Sequence, residues 1–120
     1  MDAVTARKIL RDNFQGEKGS LTHSMYEDDR FVEDEFRALF ESIAFIAQHG
    51  LYNEELSEQI AFSVQWFLKE LVCHFDPDDH STLKDLPVNY VGYIELLDIA
   101  QMAYFRRDPA IMADCGFDPY

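Results

Sequence analysis

Apolar residues recur at helical spacing along most of this chain, and the pattern is clearest in its central half. One stripe begins at Phe36 and repeats every three or four residues, which predicts a helix over 33–49. A second stripe runs from Leu56 to Leu71, and further apolar residues widen it around the helix. Because a helix that is apolar around most of its girth is usually buried, we expect this segment, 53–74, to be the central helix of the fold.

Weaker patterns predict the remaining helices. One covers residues 2–14, and another covers residues 90–106, where apolar residues again fall at helical spacing. Asp108 and Pro109 have the residue types of an N-cap and a first helical position, and they predict a short last helix that ends at Gly116. The sequence therefore predicts four main helices, followed by a short terminal one.

Two connecting segments lack helical signals. Ser20 can cap a short turn that extends to Met25, and the polar residues 26–30 are typical of a loop. Residues 75–89 contain two prolines and four aspartates, which predicts a long loop between the third and fourth main helices. A loop of that length is more often functional, or packed by its own side chains, than idle. We therefore expect an all-α fold, with residues 1–120 forming one helical bundle domain.

The charge of the chain changes what this fold is expected to do. The 120 residues include 23 acidic and 10 basic side chains, giving a net charge of −13, while 48% of the residues are hydrophobic. Such a composition indicates a folded domain with a negative surface, which repels nucleic acid and anionic membranes and attracts basic proteins. The same repulsion disfavours a dimer through the acidic face, so we expect a monomer.

The sequence also carries expectations about cellular location. No stretch approaches 18 apolar residues, so we expect no membrane span. The N-terminal segment lacks the apolar core of a signal peptide. The two cysteines, Cys73 and Cys115, do not suggest a disulfide framework. Together these features predict a protein of a reducing compartment, the cytoplasm.

The acidic residues concentrate in two segments, and this concentration is the main functional signal. For any single residue, a solvated helix start or loop is the simpler explanation. Like charges packed together destabilise a fold, however, so the clusters as a whole favour a basic partner. We expect Tyr26 and Phe31 to act as aromatic anchors of this interface. The carboxylates that we expect to present the charge are Glu27, Asp28, Asp29, Glu33, Asp34, Asp76, Asp78 and Asp79.

Patterns that would indicate catalysis, a cofactor or a metal are missing from the sequence. There is no phosphate-binding glycine loop and no C-x-x-C pair. Cys73 and His74 are adjacent, so on a helix their side chains diverge by about 100°. Residues 76–79 resemble the start of a calcium loop, but Ser81 and Pro87 occupy the positions that need glycine and glutamate. We therefore expect no enzyme activity, no cofactor and no metal site.

Four stretches of the chain resemble a known family. These are Asn13 to Ser20 (NFQGEKGS) with His23-Ser24-Met25, the helix of Phe36, Leu39 and Ile43, the stretch His74 to Asp79 (HFDPDD), and Leu86-Pro87 followed by Tyr93-Ile94 and Tyr104-Phe105. Over roughly residues 9–106 the chain resembles the immunity protein 41 family, small cytoplasmic proteins of bacteria that protect a cell from its own polymorphic or contact-dependent toxin. The resemblance implies a helical fold, no enzymatic activity and tight binding to one cognate toxin domain. In related immunity proteins the toxin is often a ribonuclease.

The charge and the resemblance lead to the same functional prediction. A ribonuclease needs a basic groove for phosphates, and an acidic protein that covers the groove would compete with RNA. The first alternative is a helical adaptor or regulatory module that binds another basic protein. The second is an enzyme with an unrecognised carboxylate site, for example one that uses Asp76, Asp78 and His80.

Overall fold

A computed structural model describes residues 1–79 and 82–119 of the chain. The described residues form five α-helices, a short 3₁₀ helix and no strand, which confirms the predicted all-α class. None of these helices is long and apolar enough to cross a membrane. The helices are α1 (Ala3–Gln15), α2 (Leu21–Glu27), α3 (Glu33–Gln48), α4 (Glu54–Phe75) and α5 (Tyr90–Phe105), followed by the 3₁₀ helix (Pro109–Met112).

The helix ends follow local capping chemistry. The side chain of Asp2 accepts a hydrogen bond from the Thr5 amide at the start of α1, at 2.8 Å. The side chain of Asn53 does the same for the Leu56 amide at the start of α4, at 2.7 Å. Helix α3 has no side-chain cap bond, but three carboxylates lie in its first turn, where the helix dipole favours negative charge. Side-chain caps therefore fix the starts of α1 and α4, whereas α3 begins after Val32 without one.

Helix α2 differs from the prediction of a short turn followed by a loop at 26–30. It continues through Tyr26 and Glu27, so the described chain has five α-helices rather than four and one short terminal helix. Thr22 donates a hydrogen bond from its hydroxyl to the Asn13 carbonyl at 2.6 Å, and Met25 is fully buried. Packing against α1 and α4 thus stabilises a helix of 7 residues that its own propensity would not.

The C-terminal segment also differs from the prediction, because its 3₁₀ helix ends at Met112 and not at Gly116. Beyond it the chain turns back over the bundle, and the ring of Phe117 packs near the rings of Phe36 and Phe40. The carbonyl of Pro119 lies against α5 at Gly92, where a Cβ atom would come within 1.9 Å of it. Burial of this tail against the bundle thus outweighs continuation of the helix beyond Met112.

The core lies between α3, α4 and α5, with α1 packed against α3 and α4. Its centre is a cluster of aromatic rings in which Phe36, Phe67 and Tyr93 are almost fully buried. The Phe36 and Tyr93 ring centroids are 5.0 Å apart, and those of Phe36 and Phe67 are 5.3 Å apart. Rings at these distances and steep angles pack favourably edge to face, so α3, α4 and α5 are held together at one point.

Candidate protein-binding surface

The two acidic segments meet in the structure through an isolated β-bridge between Arg30 and Lys84. The amide of Phe31 donates to the Lys84 carbonyl at 2.9 Å, and the amide of Lys84 donates to the Asp29 carbonyl at 2.7 Å. Two segments that are distant in sequence therefore lie side by side at this bridge. We call the carboxylates of residues 27–34 and 76–85, with the bridge between them, the acidic surface.

Part of this acidic character has a local cause. Asp29 and Asp85 flank the bridge in the left-handed region, with φ of 49° and 63°. Aspartate adopts this backbone conformation more readily than most residues, because its short polar side chain can hydrogen-bond locally. The side chain of Asp85 also lies 3.3 Å from the guanidinium of Arg30. Turn formation thus accounts for two of the aspartates, and the dipole of α3 favours Glu33 and Asp34 in its first turn.

Three carboxylates converge on one point of α4. Glu70 is a buried residue of α4, and burial raises the pKa of its carboxyl. The negative charges of Asp29 and Asp79 raise this pKa further, while Lys69 lowers it. Asp29 and Asp79 belong to different acidic segments, and both raise the pKa of this one carboxyl.

A second group of charges lines an open cleft of about 520 Å³ beside the bridge. Glu33, Asp34 and Asp85 contribute carboxylates to its wall, and Arg30 contributes a guanidinium. The hydroxyl of Tyr93 donates to the Glu33 carboxylate at 2.7 Å, which fixes that side chain at the wall. Because Arg30 already pairs with Asp85, the cleft offers a basic side chain the carboxylates of Glu33 and Asp34.

Asp76 and Asp78 are less directly connected to the rest. Both are exposed in the turn that follows α4, and the amide of Asp78 donates to the Asp76 carboxylate at 2.9 Å. This local bond shapes the turn, as expected of an Asx turn. No described contact joins these two side chains to residues 27–34, whereas Asp79 of the same turn does reach the Glu70 cluster.

Phe31 corrects the prediction of a surface anchor. Its side chain is only 3% exposed, and its ring packs 5.2 Å from the Tyr93 ring and 5.9 Å from the Phe36 ring. The neighbouring bridge turns this residue inward, so the ring belongs to the core beneath the acidic surface. It supports the surface from below and offers no ring to a partner.

Tyr26 does present its ring, since its side chain is 63% exposed. It stands edge-on to Trp66, with the ring centroids 5.6 Å apart. Trp66 in turn stacks with Phe62 at 5.7 Å, and Phe62 meets Phe14 edge to face at 5.1 Å. These four rings line an open cleft of about 260 Å³, which we call the aromatic cleft and which Glu27 of the acidic surface borders.

The sequence pattern predicts Trp66 in the widened apolar stripe of the central helix and Phe62 within or beside that stripe, and the structure leaves both side chains half-buried. The two residues are four apart and offset from the main stripe of Ile60 and Val64. That offset is a signal for a second apolar face on α4. The indole N–H of Trp66 is buried and has no hydrogen-bond partner among the described residues.

The Cys73 thiol and the His74 imidazole are poorly suited to act as a nucleophile and its base. Burial raises the pKa of the Cys73 thiol, and a hydrogen bond with Asp79 and the nearby carboxylate charges raise it further. A thiol with a raised pKa is a poor source of thiolate. The ring nitrogen Nδ1 of His74 accepts a hydrogen bond from the Leu83 amide at 2.8 Å, so the ring serves the loop structure.

Metal-binding and acid–base groups would be needed for the enzyme alternative. Within residues 1–79 and 82–119, no three or more His, Cys, Asp or Glu side chains are placed to hold a metal ion. His80, which the carboxylate-enzyme alternative invokes with Asp76 and Asp78, lies outside the described residues. Burial also raises the pKa of Glu35, although a hydrogen bond from Ser24 opposes the effect. That bond makes Glu35 a link between α2 and α3.

Searches against family models, curated proteins and solved structures found no match to this chain.

Proposed function

We propose that this protein is an immunity protein, which binds a cognate toxin domain through the acidic surface and thereby neutralises it. The toxin that the surface suits best is a ribonuclease with a basic substrate groove. In this proposal the protein acts as a monomer in the cytoplasm of the cell that it protects, without catalysis, cofactor or metal. The segment between α4 and α5 takes part as one of the two acidic segments.

One observation carries the proposal: the β-bridge between Arg30 and Lys84 joins two acidic segments into one surface. A chain that only needed solubility could spread its negative charge, whereas here the charges are held together against their mutual repulsion. Burial of Glu70 beside Asp29 and Asp79 adds to that repulsion. A basic partner would relieve it, so binding would stabilise the arrangement that folding alone leaves unfavourable.

The mechanism follows from the physics of charged surfaces. A ribonuclease binds phosphates with basic side chains, and an acidic surface that covers these side chains excludes RNA. Complementary charge also steers the encounter, which raises association rates to as much as about 10⁸–10⁹ M⁻¹s⁻¹ at low salt. Lasting affinity comes from a few desolvated anchors. Tyr26 is an exposed aromatic residue that directly precedes Glu27 of the acidic surface.

The test of this function is inhibition of the toxin domain encoded beside this protein's gene. Purified protein should bind that domain with nanomolar affinity and abolish its cleavage of RNA at a one-to-one ratio. Binding to a basic protein that is not a toxin, with no binding to the toxin domain, would contradict the immunity function and favour the adaptor alternative. Binding without inhibition would contradict the proposal that the surface covers the substrate groove.

A further inference from the structure

The aromatic cleft lies at the C-terminal end of α1, on the flank of the acidic surface. Phe14, Gln15 and Gly16 of that helix end line it together with α2 and α4. Its rings are not a flat layer. Phe62 and Trp66 are nearly parallel, at 19°, while the ring of Phe14 stands at 77° to Phe62 and that of Tyr26 at 62° to Trp66. Two steep rings thus border two nearly parallel, stacked ones.

Three independent features of this cleft favour a positive charge. Aromatic rings attract a cation to their faces. The C-terminal end of a helix carries partial negative charge, and α1 has no basic residue in its last turn to neutralise it. The exposed carboxylate of Glu27 borders the same cleft. An apolar side chain would use only the first of these features.

The chain itself shows that the indole attracts a cation. The ammonium group of Lys69 lies 5.2 Å from the centroid of the Trp66 ring. Lys69 is not among the residues that line the cleft, so it does not occupy it. A basic residue of the protein's own sequence thus already lies over Trp66, while no lysine or arginine is among the residues that line the cleft itself.

We propose that the aromatic cleft binds an arginine side chain of the basic partner, a role that rests on the proposed function for the partner's identity. A planar guanidinium can stack on a ring while it donates to several acceptors at once, which a lysine ammonium does less well. Here the Glu27 carboxylate is the acceptor. The carbonyls of Asp12 and Asn13, near the end of α1, already accept hydrogen bonds within the chain. The acidic border repels a second copy of this chain, whose net charge is −13.

The experiment uses the free protein and a small probe. Trp66 is the only tryptophan, so its fluorescence reports directly on the cleft. N-acetyl-L-arginine amide should change this fluorescence saturably, with a Kd in the millimolar range at constant ionic strength. The neutral isostere N-acetyl-L-citrulline amide should produce no saturable change. N-acetyl-L-lysine amide should bind several-fold more weakly than the arginine probe.

Two variants test the assignment to this cleft. Glu27→Gln should weaken the arginine probe several-fold, whereas Glu95→Gln, which removes the same charge from the exposed surface of α5, should leave it unchanged. Phe62→Leu should also weaken binding, and circular dichroism checks that each variant is folded. Equal effects of Glu27→Gln and Glu95→Gln would overturn the proposal, because binding would then depend on net charge alone.

The remaining outcomes are also decisive. No saturable response to the arginine probe, or an equal response to citrulline, would overturn a cation site. An equal affinity for lysine and arginine probes would overturn the choice of guanidinium. Since no toxin is present, these failures leave the immunity function standing. Conversely, probe binding by a protein that does not bind the toxin domain would overturn the immunity function and retain the cleft.

Discussion

Helix α4 exposes apolar side chains on two flanks that differ in what surrounds them. Trp66 and Leu68 are two residues apart, so they point about 200° away from each other around the helix. Trp66 belongs to the aromatic cleft beside the acidic surface. Leu68 begins an exposed apolar face on α4 and α5, whose members and exposed fractions are Leu68 (40%), Val72 (68%), Phe75 (54%) and Val91 (53%).

The comparison shows what distinguishes a binding surface from exposed apolar area. The apolar face borders a groove of about 110 Å³ with two carboxylates, Glu95 and Asp98, at its rim. It has no tyrosine or tryptophan with an exposed ring comparable to Tyr26. On the cleft side, aromatic rings, a helix C-terminus and clustered carboxylates all favour the same class of partner. Agreement between independent features therefore selects the cleft side, although the apolar face exposes more aliphatic area.

The largest expected effect distinguishes a buried residue that supports the acidic surface from an exposed residue of the apolar face. Phe31→Ala should lower the free energy of unfolding by about 3–5 kcal/mol, because its buried ring fills the core beneath the acidic surface. Phe75→Ala, a matched change on the exposed apolar face, should cost about 1 kcal/mol or less. Urea unfolding of both variants measures the difference. A small loss for Phe31→Ala would mean that this ring is not in the core.

A second prediction compares the two flanks in binding. Tyr26→Ala should weaken affinity for the toxin domain by about 2 kcal/mol or more, roughly thirty-fold, as expected for an exposed aromatic anchor that becomes desolvated. Phe75→Ala removes a ring of similar exposure from the apolar face and should leave affinity nearly unchanged. Calorimetric titration of both variants decides between them. If Phe75→Ala is the damaging change, the interface lies on the apolar face.

A third prediction concerns the association rate. Replacing Asp28 and Asp78 with lysine should slow association with the toxin domain by about tenfold at low salt, because steering by charge is lost. The matched variant with lysine at Glu95 and Asp98 has the same net charge but keeps the acidic surface. Stopped-flow kinetics at two salt concentrations measures both. Equal slowing in the two variants would show that overall charge, and not the acidic surface, steers the encounter.

The smallest expected effect is on stability and its pH dependence. Burial, Asp29 and Asp79 raise the pKa of Glu70 above its ordinary value of 4.5. The folded state therefore binds this proton more tightly than the unfolded state, so the contribution to stability is full below pH 4.5 and is lost as pH rises through the folded-state pKa. Glu70→Gln should raise the Tm at pH 7 and leave it unchanged at pH 4. An equal gain at both pH values would contradict this cause.

The sequence predicted the helices well where local signals were strong. The stripes that predicted helices over 33–49 and 53–74 correspond to α3 and α4, because apolar periodicity and capping residues both act locally. Helix α2 was underestimated, since its stability comes from burial of Met25 and from the bond of Thr22 to α1. Tertiary contacts of this kind leave no periodic pattern in a segment of two turns.

The site was less predictable than the fold. Clusters of acidic residues in the sequence indicated both acidic segments. The bridge that joins them depends on backbone hydrogen bonds of Phe31 and Lys84, which any residue except proline could make. The same bridge turns Phe31 inward, so the prediction that Phe31 is a surface anchor was wrong. The second apolar face of α4 had a signal in the offset of Phe62 and Trp66 from the main stripe, but that offset does not tell whether these rings lie in the core or line a cleft.

Amide hydrogen exchange of this protein, free and bound to the toxin domain, tests the central claim most directly, because it locates the covered surface residue by residue. The account predicts slower exchange on binding in residues 26–34 and 76–85 and at the C-terminal end of α1. Residues 68–75 and 91–98, which carry the apolar face, should exchange as in the free protein. Slower exchange confined to those last two ranges would contradict the account, because the toxin would then bind the apolar face of α4 and α5.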